Sequence, residues 1–213
     1  MKKTFALTIL FLATAAHAWA QGHSFEVIGR YVRIDPQGST TFGDPSSSFK
    51  EDAANGLGLA VNSYLTRTIS LELAVAQADS DVSLDLGGEN GSLALGSLRL
   101  RPITAALQWH PSPDGTLDWY VGAGAMYLML DSLEAPDLAA IGIEGIKLDD
   151  KFGAMVNAGL AFRITRLMAI DADVKYAPIK TSSRAQFDNG SRSESADIQI
   201  APLLFSAGLR IRF

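Results

Sequence analysis

Apolar and other residues alternate with a period of two through most of this sequence, and this pattern constrains the fold more than any other feature. In residues 69–76, Ile, Leu, Leu and Val alternate with Ser, Glu, Ala and Ala, and residues 152–162 and 168–176 repeat the pattern. Successive side chains of a β-strand point to opposite faces, so each segment predicts a strand with one apolar face. Eight segments of this kind occur, at 25–34, 57–66, 69–78, 97–109, 117–129, 152–164, 167–177 and 197–213.

The connections between these segments alternate between short and long. Residues 66–68, 110–116 and 165–166 form the short ones, whereas the long ones span 35–56, 79–96, 130–151 and 178–196. Outer-membrane barrels have an even number of strands, short periplasmic turns, long extracellular loops and strands of about 9 to 11 residues. The predicted fold class is therefore all-β, an eight-stranded antiparallel transmembrane β-barrel. A soluble barrel or sandwich is the alternative, because period two alone does not say which face is buried.

Aromatic residues on the apolar face fall at two heights and favour the membrane. If the first strand rises from the periplasm, the lower rim carries Phe25, Trp109, Trp119, Phe162 and Phe213. The upper rim then carries Tyr31, Tyr127, Phe152 and Tyr176. Two aromatic belts separated by aliphatic residues are typical of a barrel wall in lipid.

The N-terminus predicts export. Lys2 and Lys3 precede an apolar run at 5–16, and Ala18-Trp19-Ala20 fits the small-x-small pattern of a signal-peptidase site. We therefore expect a signal peptide at 1–20, cleaved near Ala20, and a barrel domain at 21–213. An anchor helix is disfavoured because the run is shorter than the roughly 20 residues needed to cross a bilayer.

Composition excludes several functions. The chain has no Cys, which rules out a disulfide framework and any cysteine metal site. Its net charge of −5 argues against nucleic-acid binding. Its three His residues lie at 17, 23 and 110, too scattered along the sequence to predict a metal site or a catalytic triad, and nothing predicts a cofactor. The remaining features suit a protein of the bacterial envelope, although a periplasmic protein would fit them too.

Charged residues on the inward face predict a network that closes the lower lumen. An eight-stranded barrel has room only for side chains or one small ligand, so mutually paired charges would form a plug. Asp171 and Asp173 could instead be a catalytic carboxylate pair, but interleaved charges of both signs favour a structural network. The predicted members are Glu26, Arg30, Glu72, Arg163, Asp171, Asp173, Lys175, Arg210 and Arg212.

Above these charges the inward residues become apolar or small, which predicts a hydrophobic channel. Its candidate lining residues are Tyr64, Met126, Leu128 and Met155. The third long connection adds a possible apolar vestibule made by Leu133, Leu138, Ile141, Ile143 and Ile146, and residues 82–98 resemble a hairpin extended above the membrane. The alternative is that these loop residues pack on one another and only order the loops. Together they favour a hydrophobic ligand.

Two motifs and the C-terminus resemble those of a known family. Residues 119–124 read Trp-Tyr-Val-Gly-Ala-Gly, residues 146–153 read Ile-Lys-Leu-Asp-Asp-Lys-Phe-Gly, and residues 209–213 read Leu-Arg-Ile-Arg-Phe. The chain resembles the outer-membrane protein W (OmpW) family, which includes AlkL-type proteins. The resemblance implies an eight-stranded barrel with a hydrophobic channel that passes small apolar molecules inward and releases them sideways. It also implies a gate role for Phe152, where the family often has Trp, and recognition of the terminal Phe213 by the outer-membrane assembly machinery.

Sideways release also has a physical argument, because opening a floor of paired charges to an apolar solute is costly. A break in strand pairing would give an exit into lipid. Pro102 is the first candidate, since it cannot donate to the ladder and the apolar face shifts across it, which predicts a β-bulge. Pro202 is the second candidate.

The predicted function is passive uptake of small hydrophobic molecules across the bacterial outer membrane, without a cofactor and without enzymatic activity. The expected partners are outer-membrane lipid, small hydrophobic solutes and the assembly machinery. One rival is a structural or surface-interaction barrel with a filled lumen. Another is a lipid-modifying barrel enzyme, which would need a nucleophile and a base at the upper rim.

Overall fold

The computed structural model describes residues 24–35, 48–51, 53–85, 92–130, 150–186, 193–200 and 202–213. The predicted signal peptide at 1–20 lies outside these ranges. So do the predicted vestibule residues Leu133, Leu138, Ile141, Ile143 and Ile146. No helix in the described ranges is both long enough and apolar enough to cross a membrane.

The described residues form eleven β-strands. They are β1 Phe25–Asp35, β2 Ser48–Glu51, β3 Ala54–Tyr64, β4 Ile69–Asp85, β5 Ser92–Trp109, β6 Leu117–Leu130, β7 Lys151–Arg163, β8 Met168–Tyr176, β9 Ile179–Gln186, β10 Ser193–Ile200 and β11 Leu203–Arg212. Eight of these described strands pair antiparallel in the order β4-β3-β1-β11-β8-β7-β6-β5, and β5 pairs back with β4 to close a barrel. The predicted fold class is confirmed.

The remaining strands lie outside the closed wall and account for the main differences from the predicted segments. β2 pairs with the last residues of β4, and β9 pairs with β10 as a separate hairpin. β4 and β5 run far beyond the predicted 69–78 and 97–109, pairing with each other as far as Asp85 and Ser92, which confirms the predicted hairpin. The predicted strand 197–213 is two strands, because Pro202 has no N–H to continue the ladder.

Short turns join the strands at one end of the barrel, which we call the turn end, and the long connections lie at the other, the loop end. Two turns share the same side-chain chemistry. Thr66 Oγ1 accepts hydrogen bonds from the backbone N–H groups of Thr68 and Ile69, and Thr165 Oγ1 accepts them from Leu167 and Met168. A hydroxyl that bonds the backbone two and three residues on stabilises a tight turn.

The outer face of the barrel is apolar, and this excludes the soluble alternative. Leu57 and Phe152 are each 72% exposed, and Leu107, Val156 and Ile170 are also exposed. A wall of exposed aliphatic side chains with carboxylates sealed inside is the reverse of a water-soluble protein. Aromatic rings lie on this face near both ends. At the turn end, Trp109 packs edge-on against Trp119 at 5.6 Å and Phe25 stacks on Phe213 at 5.0 Å between ring centroids. Toward the loop end the exposed rings are Tyr31, Phe152 and Tyr176.

Small residues on the inner face make room for the large ones. A side chain at Gly159 would overlap the phenol of Tyr120, which is almost fully buried in the lumen. Glycine is therefore required at this position by the close approach of the ring.

We predict that Gly159→Ala destabilises the barrel by about 1–3 kcal/mol, the usual cost of overpacking a filled core. Gly29→Ala is the matched control, because Gly29 also lies in a wall strand but has open space where a methyl would be. Urea unfolding of both variants in lipid vesicles, followed by Trp fluorescence, measures the difference. Equal stability of the two variants would contradict the proposed packing.

Candidate functional site

The lumen near the turn end contains a layer of buried charges centred on Arg30. Its Nε donates to Asp171 Oδ1 at 2.8 Å, and its Nη2 donates to Glu72 Oε2 at 2.9 Å. Lys175 Nζ also donates to Glu72, at 2.7 Å, and to Asp173. These groups come from β1, β4 and β8, so the ion pairs connect strands across the interior of the barrel.

Two arginines of β11 continue this layer toward the turn end. Arg210 donates to Glu26 Oε2 at 3.0 Å and to Asp171, and Arg212 Nε donates to Glu26 Oε1 at 2.7 Å. We call the connected set the charge floor. It consists of Glu26, Arg30, Glu72, Asp118, Asp171, Asp173, Lys175, Arg210 and Arg212. The structure thus brings together eight of the nine charged residues predicted for the lumen and adds Asp118.

The ninth residue, Arg163, was predicted to belong to the lumen network, but it is not part of the charge floor. Its guanidinium donates to the backbone oxygens of Pro113 at 2.6 Å and Asp114 at 3.0 Å. Arg212 donates to the same carbonyl of Pro113 and to the Asp114 carboxylate. The two arginines therefore hold the turn at 110–116 against the end of the barrel.

Tyr120 and Asn157 supply neutral hydrogen bonds to the charge floor. The Tyr120 hydroxyl donates to Asp171 Oδ2 at 3.2 Å, and Asn157 Nδ2 donates to Asp173 Oδ2 at 3.0 Å. The Arg210 guanidinium lies over the Tyr120 ring, 5.2 Å from its centroid. Sequence reasoning missed Tyr120 because both faces of its strand carry small residues. The available signal was that Tyr120 directly follows Trp119, which was predicted to lie on the outer face, so alternation places Tyr120 in the lumen.

Sequence reasoning also missed a hydrogen-bonded chain through His110. Its Nε2 lies 3.0 Å from Ser70 Oγ, and its Nδ1 lies 2.9 Å from Asp118 Oδ2. The inference that His110 is too isolated for a triad-like arrangement is therefore wrong, because the fold brings together residues from β4, the turn at 110–116 and β6. All three side chains are sealed inside the barrel and Asp118 also faces Arg210, so the geometry suits a structural link.

Apolar side chains fill the lumen toward the loop end. Met126 is completely buried, and Leu128 and Met155 are nearly so. We call this set the apolar layer. It contains Val32, Ile34, Met126, Leu128, Met155 and Leu204 together with Ala54, Ala78, Ala106 and Ala177.

Two predicted channel residues lie elsewhere. Tyr64 is buried at the turn end, where its hydroxyl donates to Glu26 and its ring lies under the Arg212 guanidinium. Phe152 is on the outer face, because the inward positions of β7 are odd-numbered and include buried Met155. Tyr64 therefore does not line the channel as predicted, because its height depends on strand register. The outward Phe152 agrees with its predicted place in the upper aromatic belt and not with a gate inside the lumen.

A cavity of about 30 Å³ lies between the charge floor and the apolar layer. The wall beside it contains a gap in pairing. β4 pairs with β5 from Ile69 to Val75 and again from Ala78, but the β4–β5 ladder is interrupted at Ala76 and Gln77. These two residues keep their pairing with β3, and the Arg101 guanidinium donates across the interruption to Gln77 Oε1 at 3.3 Å. Gly58, Ala76 and Pro102 line the cavity at this point.

The β-bulge predicted at Pro102 is wrong. The register of β4 against β5 is the same on both sides of Pro102, and the irregularity lies between Val82 and Ser83. Leu100 and Pro102 face inward, whereas Ile103 belongs to the outer face. The apolar pattern changes face because the upper lumen is itself apolar. Pro202, the other predicted opening, is buried at the loop end, where its carbonyl oxygen accepts from the Ala177 N–H at 3.4 Å.

Comparison with known proteins identifies the family. The OmpW family matches residues 23–213. The chain belongs to the OmpW family. Outer membrane protein W of Vibrio cholerae serotype O1 is 32% identical over 153 residues, which cover 70% of this chain and 69% of that protein.

Solved structures support the same barrel fold for this OmpW-family chain. The crystal structure of OprG from Pseudomonas aeruginosa matches with a TM-score of 0.73 at 19% identity, covering 90% of this chain and 96% of that one. The solid-state NMR structure of AlkL in DMPC bilayers matches with a TM-score of 0.62 at 18% identity, covering 90% of each chain. The chain is thus a bacterial outer-membrane β-barrel, and its exposed apolar band contacts lipid.

We predict that Arg30→Met destabilises this OmpW-family barrel by about 3–5 kcal/mol, because it leaves Glu72 and Asp171 buried without their shared cation. Arg99→Met is the control, since Arg99 pairs with Asp79 at 2.8 Å on the exposed face, where an ion pair contributes about 0–1 kcal/mol. Urea titrations in lipid vesicles give both values. A loss for Arg30→Met no larger than for Arg99→Met would refute the role given to the charge floor.

Proposed function

We propose that this barrel is a passive, non-enzymatic channel that takes up small hydrophobic molecules and releases them sideways into the outer membrane. The observation that carries the proposal is the division of the lumen into an apolar layer above a charge floor. Partitioning of the solute from water into the apolar lumen and then into lipid provides the driving force. The family resemblance described above points the same way.

The charge floor favours a sideways route over an axial one. An apolar solute moving along the axis would have to separate Arg30 and Lys175 from the carboxylates that neutralise them. Breaking a buried pair leaves an uncompensated charge and costs several kcal/mol. An apolar solute offers no hydrogen bonds in return, so the floor acts as a barrier and the solute leaves above it.

The interruption of the β4–β5 ladder beside Pro102 is the best candidate for the exit. Pro102 has no N–H to donate, and the facing Ala76 and Gly58 present little side-chain bulk. The cavity adjoins this position, so a solute above the charge floor would meet the weakest part of the wall. Pro202 is less favoured, because it lies at the end of β11 rather than within a paired wall.

Entry requires the apolar layer to part. Met126 and Met155 are flexible, unbranched side chains that can repack around a solute. The tight packing of the layer also favours a second candidate, a structural or surface-interaction barrel whose lumen stays filled.

We also propose that β11 is the element read by the outer-membrane assembly machinery. It contains residues 209–212 of the alternating motif, and the N–H of Phe213, which directly follows the strand, donates to the Phe25 carbonyl at 2.9 Å. This strand therefore closes the barrel against β1, which is a suitable last step of assembly.

We expect Met126→Lys to abolish uptake of radiolabelled octane by cells that express the barrel at matched surface levels. Lysine has nearly the length of methionine but places a charge in the apolar layer. Met126→Leu is the matched control and should retain uptake, because it keeps an apolar side chain of similar volume at the same position. Folding of each variant is checked by its heat-modifiable mobility on gels. Equal uptake by wild type, both variants and cells without the barrel would support the filled-lumen role instead.

A reversible staple tests the exit. The register places Gln77 opposite Arg101, and the chain has no native Cys, so Gln77→Cys with Arg101→Cys can form one disulfide across the gap while Pro102 is kept. We expect oxidation to slow octane uptake and a reductant to restore it. Leu73→Cys with Ala105→Cys staples an intact part of the same ladder and should have no effect. Rapid uptake through the oxidised gap staple would rule out this exit.

A further inference from the structure

Thr104 places a hydroxyl in a part of the lumen where no described neighbour forms a hydrogen bond with it. Its side chain points inward from β5, between Pro102 and Ala106, and lines the cavity. The residue is 4% exposed, and Oγ1 has no hydrogen-bond partner among the described residues. Buried hydroxyls are normally paired, so an unpaired one in a cavity is a candidate ligand contact.

The cavity around this hydroxyl has two chemically different sides. Arg30, Lys175 and Ser206 line the side toward the charge floor, and Val32, Pro102 and Leu204 line the opposite side. Its volume of about 30 Å³ is the space of one or two small polar groups. A site of this shape fits the head of an amphipathic molecule whose tail enters the apolar layer.

The charges nearby select a neutral head. Arg30 and Lys175 are already engaged by three carboxylates, those of Glu72, Asp171 and Asp173. A carboxylate head would add a fourth negative charge to this group, and an ammonium head would face two cations. A hydroxyl or carbonyl oxygen instead needs only one hydrogen bond, which Thr104 can provide as donor or acceptor.

We propose that the channel binds the oxygen-bearing end of neutral medium-chain molecules, such as alcohols, aldehydes and esters, at Thr104. This rests on the proposed transport function and narrows its substrate class. The bound head lies beside the gap between β4 and β5. The site thus holds the molecule at the level of the proposed exit, with its tail in the apolar layer.

Binding to the full barrel in lipid nanodiscs tests the proposal. 1-Octanol, octane and octanoate are titrated separately, and their effects on the NMR signals of Thr104 and Ser206 give the affinities. Thr104→Val keeps the side-chain shape and removes the hydroxyl, whereas Thr104→Ser keeps the hydroxyl. We expect Thr104→Val to weaken 1-octanol binding about tenfold, the effect of one lost hydrogen bond, and to leave octane unchanged. Thr104→Ser should bind 1-octanol like the wild type, and octanoate should bind more weakly than 1-octanol.

The outcomes separate this proposal from transport itself. If Thr104→Val changes 1-octanol and octane binding equally, or changes neither, the head site is refuted even where octane uptake by cells is normal. If Thr104-dependent binding of 1-octanol is found but uptake matches cells without the barrel, the site stands and the transport function fails. Stronger binding of octanoate than of 1-octanol would also overturn the choice of a neutral head.

Discussion

The ion pairs of Arg30 are the interaction on which the rest of this structure depends. Charges on the lipid-facing band of a barrel are costly, so the charges at this depth of the strands face the lumen and must be neutralised there. Arg30 meets this requirement by joining carboxylates of β4 and β8, and Arg210 extends the connection to Glu26 and β11. Strands far apart in sequence are thereby tied together across the lumen as well as along the wall.

This arrangement divides the barrel into parts with different mechanical properties. Around the charge floor, each side chain has several directional partners, and moving one strand would disturb all of them. In the apolar layer the contacts are nondirectional and include two flexible methionines, so rearrangement there is less costly. The cavity and the interruption of the β4–β5 ladder lie between these parts. The proposed channel needs both properties, because its lumen would have to admit solutes above the charge floor without leaking along its axis.

The sequence was sufficient to predict the eight strands of the barrel wall, the alternation of connections and eight members of the charge floor, but not β2, β9 or the full length of β4 and β5. Period two identifies the inward face wherever one face is clearly apolar, as around Glu72 and Asp171. It fails where both faces hold small residues, which is why Tyr120 and Asp118 escaped notice. The height of Tyr64, the outward direction of Phe152 and the continuous register at Pro102 depend on pairing with neighbouring strands. The contacts of His110 join residues 40 positions apart, so no local pattern could have indicated them.

The long hairpin of β4 and β5 connects the cell surface to the wall in a direct way. β3 last pairs with β4 at Asp79 and β6 last pairs with β5 at Leu100. Beyond these residues β4 and β5 project from the wall, and within the described ranges their ladder partners there are each other and β2. The same two strands carry the missing ladder pairs at Ala76 and Gln77. A displacement of the projecting hairpin would therefore be transmitted along β4 and β5, past the rim of the barrel, to the interrupted ladder just inside it. A phage or an antibody that binds the hairpin from outside the cell would thus act mechanically on the wall at the position where β4 and β5 share no ladder pairs.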